Sequence, residues 1–134
     1  TRTRVDELQK ILPDERPDVV FTHWPVDTHM DHQVASMCAI RACFALKPRP
    51  ELYFFEVNTG SQTLGFSPNH YVDITKTIEK KKASLFAHKS QNGEGIWKNH
   101  HEPIASWRGR EAGCHAAEAF ARLNRDVAVR LPRG

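Results

Sequence analysis

After Pro17 the chain runs Asp18-Val19-Val20-Phe21-Thr22, a short apolar stretch of β-branched and aromatic residues between polar segments. A run of this length and composition has the form of a strand buried in an α/β sheet. The polar segment His23 to Met30 follows at its C-terminal end. A helical pattern then extends from about Asp31 to Leu46, with Val34, Met37, Cys38 and Ile40 among its apolar positions, and stops before Pro48. Strand, polar loop and helix in this order put the loop where open α/β sheets hold their ligands.

The flanking sequence extends the pattern. Residues 1–12 read as a helix with Val5, Leu8, Ile11 and Leu12 on one face, ended by Pro13. Leu52 to Val57 reads as a second strand, and a loop from Thr59 to Pro68 leads to a short strand near Tyr71 to Ile74. Thr75 is placed to cap a helix over 76–89, with Ile78, Leu85 and Phe86 among its core positions. A long helical stretch is expected from Pro103 to Leu123, and Val127-Ala128-Val129 adds a final strand. The order is that of an α/β layer protein, with too few strands for a complete doubly wound sheet.

The length of 134 residues suits one domain spanning 1–134, and 40% hydrophobic with 26% charged residues is ordinary for a globular chain. A net charge of +3, with basic residues scattered, gives no reason to expect nucleic acid or a membrane surface as partner. The Lys80-Lys81-Lys82 run reads as a solvated helix face. No apolar run approaches the ~20 residues of a membrane span. Cys38, Cys43 and Cys114 form no CxxC pair, and Cys38 and Cys43 read as packing residues, so a reducing cytoplasmic location is expected. The first residue is Thr1, and the expectation is that this is the back part of a longer chain.

The loop after the first strand carries His23, Asp27, His29, Asp31 and His32. His29 and His32 are three apart at the start of a helix, so both can project from one face of its first turn. Thr28 with Asp31 makes a candidate capping pair. The positive end of the helix dipole disfavours imidazolium, and the neutral ring is the form that binds a metal. Eight histidines make chance pairs common, as His100-His101 illustrates, and a catalytic zinc needs three protein ligands, which spacing alone does not supply.

The segment from Arg16 to His23, followed by Asp27-Thr28-His29-Met30-Asp31-His32-Gln33-Val34-Ala35, resembles the second conserved block of the PIG-L (LmbE-like) N-deacetylases. Phe66 to Thr75, His88-Lys89-Ser90-Gln91, Arg108 to Gly113 and Ala117 to Phe120 resemble later blocks of that family in the same order, the last two its C-terminal helix. The resemblance implies a Rossmann-like three-layer α/β sheet of which only the C-terminal part is present. It implies a zinc-dependent hydrolase, other divalent metals being admissible, that removes an N-acyl group from an amino sugar or related amide. It implies His32 as a metal ligand, and His29 as the acid or oxyanion stabiliser with Asp31 orienting it. The family's N-terminal block, roughly His-Pro-Asp-Asp-Glu, supplies two further ligands and a general base and has no counterpart in these residues.

Other positions carry two readings each. His23 either lines the pocket or makes a structural hydrogen bond, and Asp27 either positions the loop or contacts His32. His88 either reaches the substrate or caps its helix. Trp97 and Trp107 either flank a sugar or belong to core or interface, and Arg108 and Arg110 either bind an anion or decorate the last helix. Three functions compete: the deacetylase, a truncated relative that binds a ligand or partner without turnover, and a two-metal phosphoesterase, for which acidic residues near the motif are too few. An incomplete sheet with an exposed edge would favour a homo-oligomer.

Overall fold

The computed structural model describes residues 2–57 and 61–123. Helix α1 spans Arg2–Glu15, strand β1 Val19–His23, helix α2 Met30–Ala45, strand β2 Glu51–Phe55 and strand β3 His70–Asp73. Helix α3 (Ile78–Phe86) comes next. Helix α4 (Gly93–Ile96) then runs through a π-helical turn, Trp97–His101, into α5 (Glu102–Ala112). Strand β4 (Ala117–Arg122) follows. The sheet order is β1-β2-β4-β3, with β1 and β2 parallel and β4 antiparallel to both neighbours. This is a mixed α/β sheet.

Strand β1 pairs in register with β2 from Val19 opposite Glu51 to His23 opposite Phe55. One face of the sheet presents Leu52, Phe54 and Ala121, which close on Cys43 with Leu12, Val20, Ile40, Trp24 and Phe66 around them. Helix α2 buries small side chains there, Ser36, Cys38, Ala42 and Cys43. Small residues let its axis approach closely, and Val34 and Met37, expected inside, are exposed. Truncating Phe54 in this core costs about 3–4 kcal/mol. A second cluster joins Ile74, Ala105 and Ala116, with Ile78 packed on it.

Several local expectations are corrected. Helix α1 continues past Pro13 to Glu15, and the Arg16 N–H still reaches Leu12 O at 2.9 Å. A proline in the last turn removes a single ladder bond, and Arg16, at φ 45°, supplies the left-handed stop instead. Ile11, expected on the buried face of α1, is exposed. Thr75 does not cap α3; its hydroxyl accepts from Ala116 N at 3.3 Å, and Thr77 stands at the N-cap.

The largest difference lies after Ala112, where the expected helix to Leu123 is a helix, a turn and a strand. Gly113, at φ 74°, caps α5 in the left-handed region, and its N–H bonds Arg110 O. Beyond it Ala117, Ala119 and Ala121 are buried while Glu118, Phe120 and Arg122 are half-buried, a period of two that fits a strand between β2 and β3. The expected strand at 127–129 lies outside the described residues. Among the described residues, no helix is long and apolar enough to cross a membrane.

Candidate active site

The loop from Trp24 to His29 leaves the carboxyl end of β1 and is fastened to the chain that follows β2. Trp24 N donates to Phe55 O at 3.0 Å, Thr28 N to Gln62 O at 3.0 Å, and Leu64 N to Val26 O at 3.0 Å. Trp24 Nε1 donates to Leu64 O at 3.1 Å, and its ring stands edge-on to Phe54 and Phe66. Asp27 and Thr63 form an antiparallel bridge between the two segments.

At that bridge the Asp27 side chain is 1% exposed and its carboxylate is fully engaged. Oδ1 accepts from His29 N at 2.8 Å and faces His32 Nδ1 at 3.0 Å, while Oδ2 accepts from Thr63 Oγ1 at 3.0 Å. Burial alone would raise this carboxyl, but the hydrogen bonds from His29 N, Thr63 and His32 outweigh it and hold the group below the usual carboxylate range. An ionised carboxylate only accepts, so His32 must donate from Nδ1. In the neutral ring Nε2 is then the unprotonated nitrogen, the arrangement found in metal-ligating histidines.

His29 is the N-cap of α2, and its Nδ1 accepts from Asp31 N at 3.3 Å. This replaces the expected Thr28 cap, because the Thr28 N–H is drawn into the bridge to Gln62. The Asp31 carboxylate lies 3.9 Å from His29 Nδ1 and is exposed. His29 and His32 do share one face, their rings stacked with centroids 4.7 Å apart and planes at 24°. His23, the last residue of β1, stacks on His32 at 4.1 Å and 11°. Three imidazoles thus contact in sequence, with His32 touching both neighbours. Burial lowers the His23 pKa, and the nearby rings of His32 and His29 lower it further.

His23 also contacts the Phe55 ring at 4.7 Å. Phe55 in turn lines a cavity of about 710 Å³ together with Phe21, Leu85, Ile104, Glu118 and Phe120. His100 and His101 stand on its wall. His101 stacks on Trp97, and burial followed by the charge of Lys81 lowers its pKa. Lys81 is not a solvated lysine; it bonds Glu118 at 2.6 Å on the cavity wall.

The remaining candidates separate from the stack. His88 lies exposed in the turn after α3, with its N–H on Leu85 O, and no contact among the described residues joins it to the other histidines. Trp97 is buried and Trp107 exposed. Arg108 is 7% exposed in its side chain and grips Glu56 through two bonds of 2.7 Å and Glu111 through a third of 2.7 Å. It is fully committed to structure rather than to a substrate anion, while Arg110 is exposed. Thr63 and Glu56 were invisible to motif reasoning, because each meets its partner across a long stretch of sequence with no spacing signal.

As a metal centre the donors fall short of a set. Among the described residues, no group of three or more His, Cys, Asp or Glu side chains is arranged to hold an ion. The three rings instead stack in nearly parallel planes, at 11° between His23 and His32 and 24° between His29 and His32.

No family model matches the chain. It is 31% identical over 134 residues to diacetylchitobiose deacetylase of Thermococcus kodakarensis, the match covering 90% of this chain and 50% of that protein. The chain thus spans about half the length of the curated relative it matches. Among solved structures it superposes on N,N′-diacetylchitobiose deacetylase of Pyrococcus horikoshii with a TM-score of 0.72 and 26% identity, covering 92% of this chain and 52% of that one. A conserved protein of Thermus thermophilus gives a TM-score of 0.74 and 26% identity, with coverage of 99% and 63%. The fold is also that of the 4-carboxy-2-hydroxymuconate hydratase of Pseudomonas putida, at a TM-score of 0.76, 21% identity and coverage of 98% and 62%. A fold that also serves a hydratase does not by itself name a reaction. The sequence match does more: the chain is homologous, at modest identity, to diacetylchitobiose deacetylase.

Proposed function

We propose that the chain is the C-terminal part of a Rossmann-like, three-layer domain of a zinc-dependent hydrolase that removes an N-acetyl group from an amino sugar or related amide. The observation that carries this reading is the Asp27–His32 pair at the carboxyl end of β1, with Nδ1 held by a buried carboxylate, beside a second imidazole on the same helix turn. Similarity to diacetylchitobiose deacetylase supports the substrate class.

In this reading His32 Nε2 is one ligand of zinc or another divalent ion, and the other ligands come from residues outside those described. His29 faces the amide. With Nδ1 accepting from Asp31 N, the neutral ring carries its proton on Nε2 and can donate it to the oxyanion that forms when the carbonyl is attacked. The exposed Asp31 carboxylate lies 3.9 Å from Nδ1.

The test is acetate release from N,N′-diacetylchitobiose, and metal content, in the gene product that contains this chain. His32→Ala is expected to lose its zinc and about a hundredfold or more of the activity. Retention of both overturns the assignment.

The shortage of donors among the described residues favours one second reading, a relative that binds ligand or partner without turnover. Stoichiometric, tightly held zinc on the purified 134-residue chain would rule against it.

A further inference from the structure

Thr63 is 3% exposed and sits at the crossing of two loops that leave neighbouring parallel strands. Its hydroxyl accepts from Val57 N at 2.7 Å, just after β2. It lies 3.0 Å from both Val57 O and Asp27 Oδ2, and it has one proton to give. A buried, ionised carboxylate is the stronger acceptor of the two, so the proton belongs to Asp27. The backbone bonds on either side, Thr28 N to Gln62 O and Leu64 N to Val26 O, hold the hydroxyl in line with that oxygen.

The consequence passes through Asp27 to His32. With Oδ2 occupied by Thr63, the other oxygen is turned toward α2, where His29 N and His32 Nδ1 meet it. The His32 ring lies against His23 and His29, which limits its tilt, and Asp27 fixes its rotation in plane. We propose that Thr63 is a positioning residue for His32: its hydroxyl sets the Asp27 carboxylate so that His32 is held as the Nδ1–H tautomer with Nε2 open. This rests on His32 being the working imidazole of the proposed hydrolase. It adds a control point on a loop 36 residues away in sequence from Asp27.

The experiment is two-bond ¹H–¹⁵N correlation of the imidazole rings in the histidine-labelled 134-residue chain, free of metal, at about pH 8, above the ordinary histidine pKa. His32→Gln assigns the resonances. In the parent chain His32 is expected as a single Nδ1–H tautomer. Thr63→Val, which keeps shape and removes the hydroxyl, is expected to give a mixture of tautomers, and Thr63→Ser to restore the single form. An unchanged His32 pattern in a folded Thr63→Val overturns the proposal. So does an Nε2–H or mixed pattern in the parent chain, which decides the matter even if the valine variant fails to fold. The readout needs neither zinc nor turnover. Loss of the hydrolase reading through an active His32→Ala protein is therefore a separate result from loss of the Thr63 assignment.

Discussion

The rings of His23 and His32 lie face to face, 4.1 Å between centroids and 11° from parallel, although one ends a strand and the other lies in the first turn of a helix. Two cations cannot share that spacing without repulsion, and His29 completes the stack on the other ring.

A pH dependence follows for His23. Its folded pKa lies below the ordinary value, through burial first and then the neighbouring rings, so the unfolded chain takes up its proton more readily. The contribution to stability is therefore present above the unfolded pKa of about 6.5 and is lost as pH falls through the folded value. The ring is partly exposed, so solvent screening keeps the effect under about 1 kcal/mol. Urea unfolding at pH 7.5 and 5 should show His23→Phe losing less stability on acidification than the parent chain. An equal loss in both would exclude His23 as a source of the acid sensitivity.

Asp27 should be the most costly polar position of the loop. Asp27→Ala leaves His29 N and His32 Nδ1 without their acceptor and turns the Thr63 hydroxyl to Val57 O, at a cost of about 3 kcal/mol. Asp27→Asn keeps one acceptor oxygen but places an amide against the donors, and should cost about 1–2 kcal/mol. Chemical unfolding of the two variants would test the order; a neutral Asp27→Ala would mean that the carboxylate is not the keystone of the two loops.

Arg108 and Arg110 should differ sharply despite being neighbours on α5. Removing Arg108 takes two hydrogen bonds from the buried Glu56 carboxylate and one from the more exposed Glu111, and is expected to cost about 3 kcal/mol. Arg110→Ala, at an exposed position, should stay within about 0.5 kcal/mol. Thermal melts of the pair provide the comparison.

The turn between α5 and β4 yields a contrast of two glycines. A Cβ on Gly113 would meet nothing within 4 Å, so Gly113→Ala pays only for its φ of 74°, about 1–2 kcal/mol. A Cβ on Gly109 would fall 2.7 Å from His115 O and 2.8 Å from Cys114 O, both backbone atoms that cannot swing away. Gly109→Ala should therefore destabilise more than Gly113→Ala, by upward of about 1 kcal/mol, as measured by urea midpoints. The reverse order would show that the α5–β4 turn gives way more easily than its backbone contacts imply.

How much of this was readable from residues alone depended on distance along the chain. The β1–loop–α2 unit declared itself because an apolar run, a polar loop and a helical period follow each other directly, and the three-residue spacing of His29 and His32 translates into ring contact. Strand β4 did not. Ala117, Ala119 and Ala121 have strong helix propensity, and the choice between helix and strand was made by Gly113 and by pairing with β2 and β3. Thr63 was beyond reach for the same reason: a hydroxyl in a loop has no periodicity, and its meaning comes from an aspartate brought to it by parallel pairing of β1 and β2.

Strand β1 stands at the rim of the sheet, paired among the described residues with β2 alone, and its Val19 and Phe21 are 41% and 56% exposed. Its outer row of amides and carbonyls is a template onto which a further strand can be laid. Because His23 is the last residue of that strand, a segment added there in the same direction would finish beside the imidazoles. A strand laid along that edge would extend the sheet and border the imidazole stack at once.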